Sequence, residues 1–213
     1  MSTAALVIAD AEGLDVVVQG KTLLAHALRG VEAAGCVDFL VVAVPANRLG
    51  SYEPIVQARP GTGERCRVLS CDGTRAESIR QAFESLSDTA FDVILLCDAA
   101  RAFVPPGTVT AVVDAVRAGA PAAVPVLPVT DTVKLVDSSG VIIATEDRSR
   151  LRTVQAPFAC TPSVLREACA RGLDLLTELP GTVRTVAGHQ NAIRLTTEFD
   201  VSVAEALLNE ERA

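Results

Sequence analysis

Residues 91–101 read Phe-Asp-Val-Ile-Leu-Leu-Cys-Asp-Ala-Ala-Arg, a continuous apolar run that ends abruptly in an acid and a base. A strand that is buried on both faces of a sheet has this pattern, because neither face contacts water. In open α/β sheets, ligands bind just beyond the carboxyl ends of such strands. We therefore interpret residues 91–97 as a central parallel strand and expect Asp98 and Arg101 to lie past its end, where a ligand binds.

Strand and helix patterns alternate outward from this stretch. Apolar runs predict strands at residues 4–9, 38–44, 67–70, 122–126, 181–187 and 192–195. Helical spacing predicts helices at residues 21–34, 75–86, 105–117, 161–171 and 197–211, with an irregular or weakly helical segment at 45–60. The alternation is typical of an α/β, Rossmann-like fold, a mostly parallel sheet with helices on both faces, formed here by one domain of residues 1–213.

One helix start has a specific signal, the sequence Thr74-Arg-Ala-Glu77. In such a capping box, the threonine hydroxyl and the glutamate carboxylate each bond a backbone N–H that the helix leaves unpaired. The sequence therefore predicts that a helix begins at Arg75.

A change of pattern follows the fifth predicted strand. Residues 131–136 and 141–145 alternate in polarity and flank Asp137-Ser-Ser-Gly140, which predicts a β-hairpin. A hairpin that follows a parallel core projects from it, so we expect a β-arm at about residues 130–150.

Composition argues against several classes of partner. The net charge of -7, the 3% aromatic content and the absence of Trp disfavour a nucleic-acid ligand. No apolar run approaches the roughly 18 residues that span a bilayer, and no signal sequence begins the chain, so we expect a cytoplasmic protein without a membrane partner. The six cysteines show no C-x-x-C spacing and are interpreted as buried thiols.

The residues alone offer several possible sites. Asp98 could bind a metal or a hydroxyl while Arg101 binds an anion, or the two could simply form an ion pair that closes the turn. A set of basic residues could bind a phosphate if folding gathers them, or could lie on the solvated surface: Lys134, Arg148, Arg150, Arg152 and Arg194. Gly61-Thr-Gly-Glu-Arg65 resembles a phosphate loop but precedes a strand, so we interpret it as a turn.

Four motifs in order resemble those of the 2-C-methyl-D-erythritol 4-phosphate cytidylyltransferase family. They are Cys97-Asp-Ala-Ala-Arg101, Pro128-Val-Thr-Asp-Thr-Val-Lys134, Asp147-Arg-Ser-Arg-Leu-Arg-Thr-Val-Gln155 and Asn191-Ala-Ile-Arg-Leu-Thr196. The resemblance implies a nucleotidyltransferase that moves a cytidylyl group from CTP to methylerythritol phosphate in isoprenoid synthesis. It also implies Mg²⁺ as cofactor and a homodimer held together by protruding β-arms.

The resemblance also implies roles for individual residues. Asp98 and Arg101 match catalytic residues near the methylerythritol phosphate, with Asp98 also a metal ligand. Thr132, Arg148 and Arg194 match substrate-binding positions, although Arg194 replaces a lysine of the family. Ser78 and Arg75 match nucleotide-binding positions.

The first loop departs from the family pattern. The family has a glycine-rich run with an arginine, followed by Pro-Lys, which holds the CTP phosphates. Here a shorter, acidic connector contains Asp10, Glu12 and Asp15, and Lys21 is the cation that could substitute for the missing ones. Two hypotheses follow: a cytidylyltransferase with an unusual loop, or a catalytically impaired paralogue that acts as a ligand-binding or regulatory homodimer. The acidic connector predicts weak CTP binding in either case.

Overall fold

The computed structural model describes residues 1–58, 65–179 and 181–210. Within these residues the strands are β1 (Thr3–Ile8), β2 (Val17–Val18), β3 (Lys21–Thr22), β4 (Phe39–Pro45), β5 (Cys66–Cys71), β6 (Val93–Asp98), β7 (Ala122–Pro128), β8 (Lys134–Val136), β9 (Ile142–Thr145), β10 (Arg152–Val154), β11 (Phe158–Cys160) and β12 (Arg184–Ala187). The α-helices are α1 (Leu23–Ala33), α2 (Leu49–Gln57), α3 (Arg75–Glu84), α4 (Pro106–Arg117), α5 (Pro162–Ala170) and α6 (Glu198–Glu210).

Strand β1 lies inside the parallel part of the main sheet. It pairs in parallel with β4 on one side and with β6 on the other, so that Leu6 is opposite both Val41 and Leu96. Strand β5 extends the parallel part beyond β4. The central strand expected from residues 91–97 is confirmed as a parallel strand.

Both faces of β1 are buried, and this explains its unbroken apolar sequence. Successive side chains of a strand point to opposite faces. Ala5 and Val7 pack in one cluster with residues of α1, α2 and α4, whereas Ala4, Leu6 and Ile8 pack in a second cluster with residues of α3 and α5. Helices therefore cover the sheet on both faces, as the α/β alternation predicts.

The carboxyl-terminal half makes the sheet mixed. Strand β11 pairs antiparallel with both β6 and β7, so β7 runs in the direction of β6 without touching it. Strand β10 continues along β7, also antiparallel, and β12 pairs with β7 in parallel. Neither β10 nor β11 was predicted from the sequence, because each has only three residues and the turn before Phe158 contains Pro157.

Several predicted boundaries need correction. Helix α1 begins at Leu23 rather than residue 21, because Thr22 caps it through a hydrogen bond from the Ala25 N–H. Residues 192–195 are not a strand; the backbone there is held by single contacts such as Leu195 N–H to the Ala100 carbonyl. The segment 45–60 contains the regular helix α2. The turn expected at residues 61–65 falls mostly on 61–64, which lie outside the described residues.

The predicted hairpin is present as a separate two-stranded sheet. Strands β8 and β9 pair antiparallel, with Lys134 opposite Thr145. Most of its apolar side chains are more than half exposed, including Val136, Val141, Ile142 and Ile143. We call residues 130–150 the arm. A two-stranded hairpin alone is marginally stable in water, and the apolar surface of the arm is open to solvent in the single chain.

No helix in the described ranges is long and apolar enough to cross a membrane.

The capping box of α3 is confirmed and gives a stability prediction. The Thr74 hydroxyl accepts from the Glu77 N–H at 3.3 Å, and the Glu77 carboxylate accepts from the Thr74 N–H at 2.6 Å. Thr74→Ala should lower the free energy of unfolding by about 1 kcal/mol in chemical denaturation, because one N–H loses its partner. The control is Thr89→Ala at an exposed loop position, expected within about 0.5 kcal/mol of the wild type. Equal effects of the two changes would contradict the role of the cap.

Candidate active site

Asp98 is the last residue of β6 and is only 7% exposed. The expectation that it lies past the strand was wrong, since it still pairs across from Ile8. Its Oδ1 accepts a 3.0 Å hydrogen bond from the Ala100 N–H, and its Oδ2 accepts a 2.9 Å bond from Arg194 Nε. A buried carboxylate needs both a counter-charge and hydrogen bonds, and these two donors supply them.

Arg101 lies beside this pair. Its backbone N–H donates to the Asp98 carbonyl at 3.0 Å, and its Nη1 donates to the Ala192 carbonyl at 2.6 Å. Burial lowers the pKa of Arg101, and the charge of Arg194 lowers it further, whereas Asp98 raises it. An arginine remains charged at neutral pH despite such shifts. Asp98, Arg101 and Arg194 therefore form one cluster of two cations and one anion, which we call the strand-end cluster.

The ion pair of the cluster is not the one considered from the sequence. Asp98 pairs with Arg194, 96 residues further along the chain, and the turn to Arg101 is closed by a backbone hydrogen bond instead. The segment that carries Arg194 thus returns to the end of β6, so that residues from two distant parts of the chain meet there.

Gln155 fixes the segment that precedes Arg194. Its side-chain amide donates to the carbonyls of His189 at 2.9 Å and Ala192 at 3.3 Å, and its Oε1 accepts from the His189 N–H at 3.0 Å. The Ala192 carbonyl also holds Arg101, so Gln155 orients the acceptor on which Arg101 depends. A Cβ at Gly188 would lie 3.0 Å from the Val126 carbonyl and would also collide with Gln155, so only glycine fits this close approach.

The connector between β1 and α1 is closed on itself. The N–H groups of Val16, Leu23 and Leu24 donate to carbonyls of Gly13, Val16 and Leu14 at 2.9 to 3.0 Å. Leu14 and Val18 are buried, and Gln19 and Gly20 both have positive φ in the turn between β2 and β3. A phosphate cradle needs free N–H groups that converge on the ligand. The N–H groups of Val16 and of the first two residues of α1 are therefore used by carbonyls of the connector.

Arg75, the first residue of α3, is held by the same connector. Its Nε and Nη2 donate to the two carboxylate oxygens of Asp10 at 2.7 and 2.9 Å, and both side chains are largely shielded from solvent. Burial by itself lowers the pKa of Arg75, but the hydrogen bonds and charge of Asp10 outweigh burial, so the pKa is raised. Ser78 lies one turn later in α3 and is buried.

The comparisons with known proteins give the same family along nearly the whole chain. The family model of 2-C-methyl-D-erythritol 4-phosphate cytidylyltransferase matches residues 9–210. The chain belongs to this family. A relative from Saccharopolyspora erythraea with that name is 43% identical over 209 residues, which cover 91% of this chain and 89% of the relative.

Solved structures agree on the fold. The cytidylyltransferase from Thermus thermophilus superposes with a TM-score of 0.76 at 29% identity, over 98% of this chain and 100% of that one. A synthase from Anaerococcus prevotii, named for 4-diphosphocytidyl-2C-methyl-D-erythritol, superposes with a TM-score of 0.85 over 98% of both chains. At 22% identity, the second likeness concerns the fold alone.

In this cytidylyltransferase-family chain, the predicted site residues lie in four places. Asp98, Arg101 and Arg194 form the strand-end cluster, and Arg75 and Ser78 lie at the start of α3. Thr132 and Arg148 are exposed on the arm, where Arg148 donates to the Thr130 carbonyl. Lys21 is exposed on β3. The basic set is therefore divided. Lys134 donates to the Thr145 hydroxyl, and Arg152 donates to the carbonyls of Ser149 and Leu151, all in the arm region. Arg194 instead contacts Asp98.

Two functional contacts were not foreseen from the sequence. Asp10 accepts hydrogen bonds from Arg75, whereas the sequence suggested only a negative charge that would repel a triphosphate. Gln155 holds the segment before Arg194 through its side-chain hydrogen bonds. Both contacts join residues far apart in sequence, 65 and 34 positions respectively. No local periodicity or spacing reports such pairs.

The cysteines follow the prediction only in part. Cys71, Cys97 and Cys160 are buried, but Cys36, Cys66 and Cys169 are partly exposed, and all six are free thiols. Burial raises the pKa of Cys97, with the adjacent charge of Asp98 adding to the shift. The Cys97 thiol thus stays protonated beside the strand-end cluster and is no nucleophile.

A cavity of about 860 Å³ lies elsewhere in the molecule. Its lining includes Phe83, Phe91 and Arg166, from the end of α3, the segment before β6 and helix α5. It contains none of the predicted site residues. The size of a cavity and the positions of the predicted site residues therefore do not coincide in this chain.

The Gln155 contacts predict a stability effect. Gln155→Ala should lower the free energy of unfolding by about 1–3 kcal/mol, because the His189 N–H and two carbonyls lose a partner in a half-buried place. Chemical denaturation measures it. Thr153→Ala, on the neighbouring strand with one long hydroxyl contact of 3.4 Å at the surface, is the control and should change stability by less than about 0.5 kcal/mol. If Gln155→Ala were as mild as the control, the segment before Arg194 would be held by something else.

Proposed function

We propose that this chain transfers the cytidylyl group of CTP to 2-C-methyl-D-erythritol 4-phosphate in isoprenoid biosynthesis. In this reaction a phosphate oxygen of methylerythritol phosphate attacks the α-phosphorus of CTP. A new P–O–P bond forms, the bond from that phosphorus to the β-phosphate oxygen breaks, and pyrophosphate leaves. The strand-end cluster, in a chain 43% identical to a relative named for this activity, is the observation that carries the proposal.

The cluster has the chemistry to hold the phosphate of the acceptor. Arg194 uses Nε for Asp98, and its two Nη groups make no hydrogen bond within the described part of the chain. Arg101 is pinned through Nη1. Planar guanidinium groups bind phosphate oxygens through paired N–H donors, and fixed ones lose little entropy when they do so. We assign Arg101 and Arg194 to the acceptor phosphate, with Asp98 as the group that orients Arg194.

Phosphoryl-type transfer is driven mostly by positioning and by charge stabilisation. Arg101 lies in a half-buried place, where its charge interacts more strongly than in bulk water. Asp98 neutralises part of the positive charge, so the cluster retains one net positive charge without a ligand. We propose that this excess attracts the acceptor phosphate and aligns its oxygen for attack.

Mg²⁺ is compatible with this site only together with the substrate. The described residues contain no group of three or more His, Cys, Asp or Glu side chains that could hold a metal by themselves. Magnesium is commonly bound by one or two carboxylates plus substrate phosphates, and Asp98 is the carboxylate at the strand end. Bound there, Mg²⁺ would neutralise charge on the triphosphate. We propose Asp98 as its protein ligand.

For the nucleotide, we propose Ser78 and Arg75 at the start of α3 as contacts and Lys21 as a cation that reaches the triphosphate. The connector supports an expectation of weak CTP binding, because Asp10, Glu12 and Asp15 give it negative charge and the Val16 N–H is already paired within it. A cytoplasmic location is part of the proposal.

We further propose a homodimer in which the arm of one protomer completes the acceptor site of the other through Thr132 and Arg148. The exposed apolar side chains of the arm support this, because a hairpin with such a surface is marginal alone and prone to edge pairing. The impaired-paralogue hypothesis has no support from the comparisons and becomes one outcome of the test below.

The activity test is pyrophosphate release from CTP, Mg²⁺ and methylerythritol phosphate. The wild type should release pyrophosphate only when all three are present. Asp98→Asn keeps the shape of the side chain but removes the charge that orients Arg194, and should lower the rate by about 100-fold or more, the usual cost of one lost electrostatic contact in a transition state.

Asp88→Asn, the same change at an exposed loop position, is the matched control and should keep the wild-type rate. Absence of pyrophosphate release at any substrate concentration, from a folded wild type that still binds methylerythritol phosphate, would favour the impaired paralogue.

The dimer prediction is tested by sedimentation. Ile143, 63% exposed on the arm, should be buried between protomers, so Ile143→Glu should convert the dimer to a monomer and abolish transfer by removing the partner's arm. Val17→Glu, which introduces the same charge at a 59% exposed position of the connector, should leave the dimer intact. A wild type that is monomeric at micromolar concentration would refute the shared site.

A further inference from the structure

The ion pair between Asp10 and Arg75 has the geometry of an anion-binding site that is already filled. Asp10 lies two residues after β1, and Arg75 opens α3. The two carboxylate oxygens each accept one hydrogen bond from the same guanidinium, at 2.7 and 2.9 Å. A phosphate group binds arginine through the same paired arrangement, because two of its oxygens have similar spacing. Asp10 therefore uses the face of Arg75 that a phosphate would use.

Several other donors around Arg75 are already paired. The N–H of Glu77 and the N–H of Thr74 are committed to the capping box at the start of α3. In the connector, the Val16 N–H donates to the Gly13 carbonyl. The Arg75 guanidinium also interacts with the negative charges of Asp98 and Asp174. The charge of Arg75 is therefore balanced by acids of the chain.

We infer that Asp10 is a specificity-determining residue that occupies Arg75 in place of a phosphate, so that CTP gains Arg75 only by displacing the Asp10 carboxylate. The inference rests on the proposed function in taking CTP as the phosphate ligand. It gives a physical reason to expect weak nucleotide binding even though Arg75 is present at the start of α3. Removing the carboxylate frees the guanidinium and tightens binding.

The test measures binding of CTP with Mg²⁺, and separately of inorganic pyrophosphate, by isothermal titration calorimetry. Asp10→Asn removes the charge with almost no change of shape and should tighten binding of both ligands by about tenfold, which corresponds to about 1.4 kcal/mol. Asp15→Asn is the matched control: it removes the same charge from an exposed position of the same connector and should change affinity by less than about twofold, because exposed charges are screened by salt.

A double-mutant cycle assigns the gain to Arg75. Arg75→Met should weaken binding much more in the Asp10→Asn background, where the guanidinium is free, than in the wild type, where Asp10 competes for it, and should abolish the gain of Asp10→Asn. An unchanged or weaker affinity of Asp10→Asn would overturn the inference. So would an equal gain in Asp15→Asn, or a gain that survives Arg75→Met. Circular dichroism checks that each variant folds, and Asp10→Ser repeats the test if Asp10→Asn does not.

The outcomes separate this inference from the proposed function. If the wild type releases pyrophosphate from CTP but Asp10→Asn binds no more tightly, the inference fails and the function stands. If neither protein transfers a cytidylyl group, yet Asp10→Asn binds inorganic pyrophosphate about tenfold more tightly through Arg75, the inference stands and the function fails.

Discussion

The structure depends on two adjacent parallel strands, β1 and β6, that are buried on both faces. Their register places Ile8 directly opposite Asp98, so both strands end at the same edge of the sheet. Helices on both sides exclude water from the strands, and the apolar sequence is what permits this burial. The connector after Ile8 and the turn after Asp98 therefore lie side by side at that edge.

Charge at this edge is balanced by pairs that bridge long stretches of chain. Asp98 is neutralised by Arg194 from the carboxyl-terminal segment, and Asp10 is neutralised by Arg75 from α3. Removing a charged group from water is costly, and a half-buried ion is tolerated where a partner with hydrogen bonds replaces the solvent. The two pairs differ in what they leave for a ligand. Arg194 retains donor groups, whereas Arg75 presents its paired donors to Asp10.

This difference separates the two halves of the site. On the proposed acceptor side, Arg194 is held by Asp98 and Arg101 is held by the Ala192 carbonyl that Gln155 orients, so little would need to move on binding of a phosphate. On the proposed nucleotide side, Asp10 of the connector already accepts two hydrogen bonds from Arg75. A ligand there must break existing hydrogen bonds before it makes its own, and the two sides therefore differ in the free energy that a phosphate can gain.

The sequence by itself determined the elements whose signals are local. The buried strand at residues 91–97, the helix that starts after Thr74, the hairpin around Gly140 and the family motifs were all predicted, because periodicity, capping and turn chemistry act within a few residues. Only the tertiary structure decided the insertion of β11 between β6 and β7, the extended path of residues 192–195, and the partners of Asp98, Arg75 and Gln155. Those contacts join groups 34 to 96 positions apart, and their formation depends on burial and on which charges the folded sheet brings together, neither of which leaves a mark in the neighbouring sequence.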